Sequence, residues 1–234
     1  MFPSLKPTFL LLALALSAGT LPLGAQVRTI RGEVWVEMEP IHGDRVDPEF
    51  PLSGETASRR ALQEAALYFS AMIYGWSFRY EIGERTRGID EDFGELLPLG
   101  EIRWGDPALS VTDVRYGDSR LGVWADYDLD EVQQRWLRTW RTGTIRGIRA
   151  TGFSPLSGPA PDSDWLAIRY AALTDAARAA LRDFLRANER NRPKEVSGML
   201  CLVGFPRFYV SGGRLAAAAD FRLRITEIVP FAAY

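Results

Sequence analysis

The sequence predicts an α+β fold: antiparallel strands with helices packed on one face, in two related halves. Three observations predict it. A phrase recurs, RLGVWADYDL at 120–129 and RLAAAADFRL at 214–223, in which Arg120, Leu121, Ala125, Asp126 and Leu129 return as Arg214, Leu215, Ala219, Asp220 and Leu223 and Tyr127 becomes Phe221. Each copy follows a small polar turn, Gly117-Asp118-Ser119 and Ser211-Gly212-Gly213. Each also follows an amphipathic helix and a strand, and those helices share Ala57-x-Arg59-x-Ala61 with Ala167-x-Arg169-x-Ala171. Five identities in ten positions can arise by chance in a chain rich in Ala, Leu and Arg. Recurrence in the same structural context is what points to duplication.

The elements follow in chain order. Residues 1–25 read as a signal peptide, with Lys6 in the charged region, an apolar stretch over 9–18, and Leu23-Gly24-Ala25 as a cleavage site before Gln26. The apolar run is too short to span a bilayer, and no cysteine follows it to carry a lipid. The expectation is a periplasmic or secreted protein without a transmembrane segment after cleavage. Residues 30–39 read as a strand and 40–51 as a loop. Residues 57–74 form a helix, with Leu62, Ala65, Phe69 and Met72 in one stripe, Arg59, Arg60, Gln63 and Glu64 on other faces, and Gly75 as its terminator. Alternation then marks a strand at 76–82. Residues 83–108 are a long irregular insertion, rich in Gly and acid.

A strand pair at 111–116 and 120–129 follows, with Leu121, Val123, Ala125, Tyr127 and Leu129 on one face. Residues 131–141 read as a short helix. Residues 152–163, rich in Gly, Pro and Ser, read as a linker. The second half opens with a helix over 164–188, with Leu166, Tyr170, Leu173, Ala177, Leu181 and Phe184 on one side. Strands at 196–203, 207–210 and 215–229 complete it. The expected divisions are thus a signal peptide at 1–25, a first α+β half at 26–151 carrying the insertion, a linker at 152–163 and a second half at 164–234. The halves are expected to share one sheet or pack closely, since neither is large alone.

The stretches Ser58-Arg59-Arg60-Ala61-Leu62-Gln63-Glu64-Ala65 and Ile168-Arg169-Tyr170-Ala171 through Asp175-Ala176-Ala177-Arg178, each leading into strands and a hairpin, resemble small bacterial envelope domains. The families are the LPP-type conserved lipoproteins and the amino-terminal domain of flagellar assembly protein T. The resemblance implies a non-catalytic envelope role and assigns no functional residue. This chain lacks the lipoproteins' lipid-attachment cysteine.

Composition narrows the chemistry. Cleavage after Ala25 leaves 27 basic and 30 acidic residues, a balance unsuited to general nucleic-acid binding. One cysteine, Cys201, precludes an internal disulfide, and its apolar neighbours Met199, Leu200, Leu202 and Val203 mark it as a buried small side chain. One histidine, His42, and one cysteine leave no ligand set for zinc, copper or haem. Asp126-x-Asp128-x-Asp130 opens like a calcium loop, but Glu131 stands where Gly is needed and Leu137 where a bidentate Glu is needed. Asp90-Glu91-Asp92 with Glu95 reads as a solvated loop. No Gly-x-Ser-x-Gly elbow or phosphate-binding glycine loop occurs. The expectation is therefore a protein without a cofactor that acts by binding or assembly and is not an enzyme, with an envelope protein or cell-wall component as partner. One alternative is a module that binds cell-wall glycan through exposed Trp and Arg. Another is a hydrolase built on unmarked carboxylates.

Two features suggest a partner-binding surface. Arg135, Arg138 and Arg141 fall, at about 100° per residue, on the face of their helix opposite Trp136 and Trp140. The Trp face is expected to be buried, with Val132 and Leu137, and the Arg face wet. Trp124 points away from the apolar face of its strand, and its counterpart in the second half is Ala218. It is the tryptophan for which exposure is at issue.

Overall fold

The computed structural model describes residues 27–39, 50–81, 83, 93–141, 145–155, 165–188 and 193–230. The expected leader, His42, the acidic run 90–92 and most of the expected linker lie outside the described residues. Among the described residues three helices and nine strands form an α+β arrangement of antiparallel sheets. Strands β1 (Thr29–Glu37), β5 (Arg120–Asp128) and β4 (Leu109–Tyr116) form a three-stranded sheet in that order. The larger sheet runs β3 (Phe93–Pro98), β2 (Trp76–Glu81), β7 (Glu195–Leu202), β9 (Arg214–Val229) and β6 (Arg146–Phe153), with β8 (Arg207–Ser211) also paired to β9.

Helix α1 (Gly54–Ile73) begins where the Ser53 hydroxyl accepts the Thr56 N–H, and Glu55 lies in its first turn. It ends where the Tyr74 and Gly75 N–H groups both donate to the Ser70 carbonyl. Gly75 has φ +70°, and a Cβ there would stand 2.1 Å from the Leu200 carbonyl oxygen, so glycine is required twice over. Fully buried Ala57, Ala61 and Ala65 let strands approach closely. α1 packs on β1 and β5 of the small sheet and on β7 of the large one, so it joins the two. That position explains a departure from expectation. Arg60 and Glu64, which lie on faces other than the apolar stripe read from the sequence, are also buried, because α1 is covered on more than one side.

Helix α2 (Glu131–Thr139) opens with a capping box in which Asp130 and Gln133 bond each other's backbone N–H, and it packs on α1. Helix α3 (Trp165–Asn188) packs on β6 and β9 of the large sheet. Its backbone lies so close to β6 that a Cβ on Gly152 would stand 1.9 Å from the Ala176 nitrogen. Among the described residues no helix is long and apolar enough to cross a membrane.

The repeat is visible as topology. Each unit runs strand, helix, strand, hairpin: β1-α1-β2-β4-β5 and β6-α3-β7-β8-β9. In each the first strand pairs antiparallel with the last, and the hairpin strands pair with each other. Ile30 and Arg31 stand opposite Tyr127 and Asp126, as Ile148 and Arg149 stand opposite Phe221 and Asp220. The two arginines make the same ion pair: Arg31 Nε lies 2.6 Å from Asp126 Oδ1, and Arg149 binds Asp220 through both Nε and Nη2.

Two readings of the sequence are corrected here. Gly152 and Phe153, assigned to a linker, end strand β6, whose antiparallel pairing with β9 makes it the leading strand of the second unit. The insertion at 83–108 is not irregular throughout, since residues 93–98 form β3 and pair with β2. The units also differ in one respect. β2 leaves the small sheet and pairs with β7, carrying β3 with it into the large sheet.

Candidate functional site

A cleft of about 450 Å³ opens between α1, α3 and the loop after β3. Ala66, Leu67 and Ala71 of α1 form one wall, Leu166 and Tyr170 of α3 another, and Ile102 with Trp104 a third. Trp76 is almost fully buried at this site and donates its indole N–H to the Tyr170 hydroxyl at 3.3 Å. Trp104 is 53% exposed. The loop is held in place by its own backbone. The Ile102 N–H donates to Ser70 Oγ at 2.8 Å, Ser70 in turn donates to the Ala66 carbonyl, and the Leu99 N–H donates to the Gly75 carbonyl. A Cβ on Gly100 would stand 2.6 Å from the Tyr74 ring, so glycine permits the close approach.

These bonds use most of the polar atoms around the cleft for structure. Gln63 and the exposed Glu101 are what remain at its edge. The arrangement offers apolar and aromatic surface with a few hydrogen-bonding groups, the usual composition of a small-molecule site.

Beside the cleft, but not lining it, α1 and α3 bury an ionic cluster. Arg169 Nε lies 2.6 Å from Glu64 Oε1, and the Tyr68 hydroxyl donates to Glu64 Oε2 at 2.9 Å. The Arg169 guanidinium sits 4.8 Å from the Phe208 ring, and that of Arg60 sits 5.2 Å from the Trp165 ring. Burial pushes the Glu64 carboxyl up to about 7, against the opposing pull of Arg169, Tyr68 and Arg60. Burial first, and the Glu64 charge second, raise the Tyr68 hydroxyl well above its ordinary value. A carboxyl near neutrality suits proton transfer, yet Glu64 is 2% exposed and spent on Arg169 and Tyr68. The geometry gives it an interhelical role.

The residues singled out from sequence are placed as follows. Arg135 and Arg138 on α2, and Arg141 just beyond its end, are all exposed, and none has an ion pair among the described residues. Trp140 is buried and donates its indole N–H to the Ile73 carbonyl at 3.0 Å; Trp136 is half-buried against Tyr74. Val132, expected to be buried with them, is 50% exposed. Trp124 is half-buried on the face of the small sheet turned away from the core, with the Arg31 guanidinium 5.6 Å from its ring. Since α2 packs on α1, Trp124 does not share a surface with the three arginines.

Asp126, Asp128 and Asp130 make no joint site. Asp126 binds Arg31, Asp128 accepts the Thr29 hydroxyl, and Asp130 caps α2. Cys201 is buried, and burial pushes its thiol up to about 12, which leaves no thiolate for chemistry. Sequence reasoning missed the cleft, because its walls come from three separate segments. Trp104, in a Gly-rich and acidic stretch, was its one legible signal.

A protein-family model matches residues 19–231. The chain is also 30% identical over 207 residues to an uncharacterised protein of Treponema pallidum (strain Nichols), an alignment that covers 88% of this chain and 83% of that relative. The chain belongs to this family. Its matched span takes in both units and the cleft between α1 and α3. No solved structure matches the chain.

Proposed function

We infer that this is an exported protein of the bacterial envelope, that it acts by binding and not by catalysis, and that its cleft receives a small, largely apolar molecule. The cleft carries the reading: it is concave, about 450 Å³, walled by Ala66, Leu67, Ala71, Ile102 and Leu166, and bordered by the exposed Trp104. That volume falls within the range of small-molecule sites. Export is supported by the leader-like residues 1–25. An envelope role rests on the same leader.

The test has two arms. Protein isolated from its native envelope should begin at or within a few residues of Gln26; a main form that keeps Met1 contradicts export. The purified protein should bind an apolar fluorescent dye, anilinonaphthalene sulfonate, and Ala71→Phe, which fills the cleft, should abolish that binding with the far-ultraviolet spectrum unchanged. Equal dye affinity in the folded variant refutes the cleft as the binding site.

A second reading, contact with an anionic envelope surface, is favoured by Arg135, Arg138 and Arg141, which are exposed and without ion pairs among the described residues. Such a contact is weak and salt-sensitive, because the helix is short and its charges solvated.

A further inference from the structure

The two units differ on the outer face of their first and last strands, and the second unit shows what the pairing itself requires there. Both keep the arginine–aspartate pair, Arg31 with Asp126 and Arg149 with Asp220. Around that pair the first unit carries groups the second lacks. Trp35 stands opposite Gly122 and Glu33 opposite Trp124. The matching positions hold Phe153 opposite Ala216 and Thr151 opposite Ala218. The strands pair in the same way without the tryptophan, the carboxylate or the glycine, so strand pairing does not demand them.

Trp35 is presented differently from its counterpart. A Cβ on Gly122 would stand 2.9 to 3.1 Å from three atoms of the Trp35 ring, so the indole lies along the β5 backbone in the space glycine leaves. It is 44% exposed. In the second unit the Arg214 guanidinium covers the Phe153 ring at 4.5 Å. The equivalent Arg120 instead reaches Glu37, with Nε 2.8 Å from Oε1.

The neighbouring pair adds an independent observation. Trp124 Nε1 and Glu33 Oε1 are buried and have no hydrogen-bond partner among the described residues. They belong to side chains directly opposite each other, one a donor and the other an acceptor. Buried polar atoms are nearly always paired, so two on one small patch require an explanation. The charges around them are balanced: Arg31 with Asp126, Arg120 with Glu37, and Arg115 with Asp113.

We propose that this face binds the pyranose rings of a glycan, stacking a gluco-configured sugar on Trp35 and engaging its polar rim with Trp124 Nε1 and Glu33 Oε1. A pyranose whose substituents are all equatorial has two flat C–H faces, which suit the electron-rich face of indole. Its rim needs both donors and acceptors. The internally paired charges suit a neutral ligand better than an anion. Both polar atoms are covered in the free protein, so binding shifts the Trp124 side chain. The cleft plays no part, and only the choice of probe draws on the envelope location inferred above.

The full chain, with indole nitrogens labelled, is titrated with N-acetylglucosamine tetramer and with a galactose-configured tetramer, following heat and indole N–H resonances. The glucosamine tetramer should bind and move the Trp124 resonance, identified by its loss in Trp124→Phe. The galactose tetramer, whose axial oxygen at C4 blocks one of the two flat faces, should bind more weakly. Trp35→Ala should weaken binding by at least about tenfold, while Phe153→Ala, the same truncation in the second unit, should leave it unchanged. Far-ultraviolet circular dichroism and a sharp thermal unfolding transition, measured on the same samples, report whether each variant is folded. Absence of heat and of resonance shifts in folded wild-type protein overturns the proposal, as does wild-type affinity in folded Trp35→Ala.

Discussion

Glu64 is held at about 7 in the fold, against an ordinary value of 4.5. Burial is the cause, and the charges of Arg169 and Arg60 and the Tyr68 hydroxyl restrain it. A group that binds its proton more tightly when folded makes folding take up a proton between those two values. Its contribution is therefore full below about 4.5 and is lost as pH rises towards 7. The shift corresponds to about 3 kcal/mol. Urea unfolding of wild type and Glu64→Gln at pH 5 and pH 8 should show wild type losing up to about 3 kcal/mol relative to the variant over that interval. Parallel changes in the two proteins contradict the assignment. Asp220 acts in the opposite sense and outside this window, since the Arg149 hydrogen bond holds it below its ordinary 3.8.

The elements divide into those set by their own residues and those set by their neighbours. α3 sits against β6 through Gly152, where any side chain meets the backbone of Ala176 and Asp175. Gly152→Ala should cost at least about 3 kcal/mol or prevent folding, because backbone, unlike a side-chain tip, does not yield. Gly147→Ala in the same strand, with nothing within 4 Å of the added carbon, should stay within about 0.5 kcal/mol. Thermal unfolding of the two variants checks both.

α2 supports a different test. Replacing Arg135, Arg138 and Arg141 together by Gln should leave the circular dichroism unchanged. It should reduce retention on envelope fractions at low salt and not at high salt. Unchanged retention at low salt makes the face a solvated one and removes the second functional reading.

At this scale the sequence was informative wherever periodicity or a cap was local. The alternation of Leu121, Val123, Ala125 and Tyr127, the stripe of α3 and the turn at Gly212-Gly213 all lie as the pattern implies. β6 was not legible, because Ile148, Arg149, Ala150 and Thr151 are half-buried or exposed and show no clean alternation. Its match to Ile30-Arg31 becomes visible only once both strands are seen opposite Tyr127-Asp126 and Phe221-Asp220. The burial of Glu64 was hidden for a related reason: the charge that accompanies it, Arg169, lies on another helix. The cleft was hidden because three segments meet to make it.

In the whole molecule the units are not separable in the way two tandem copies would be. β2 belongs by sequence to the first unit, yet it pairs with β7 of the second. The second unit expressed alone, over 145–230, exposes the edge of β7 that β2 covers. Such an edge invites association with other chains. That fragment should therefore self-associate or fail to give a sharp unfolding transition. Co-expression with 27–141 should restore a soluble complex with native-like dispersion in its proton spectrum. A monomeric, cooperatively folding 145–230 fragment would mean that the β2–β7 pairing is dispensable.

That pairing also fixes an order in time. Trp76 meets Leu200, more than a hundred residues later in the chain. As the chain emerges from the ribosome, the first unit has its helix, its hairpin and the β2–β3 pair, but the other edge of β2 has no partner. Its large-sheet half waits until β7 arrives. Pairing between such distant segments is slow relative to local structure, because the long intervening loop must close first. For the export inferred above, delay is an advantage. A chain whose large sheet cannot form until its last third is delivered stays short of its folded state for longer, which favours passage through a narrow pore before folding is complete.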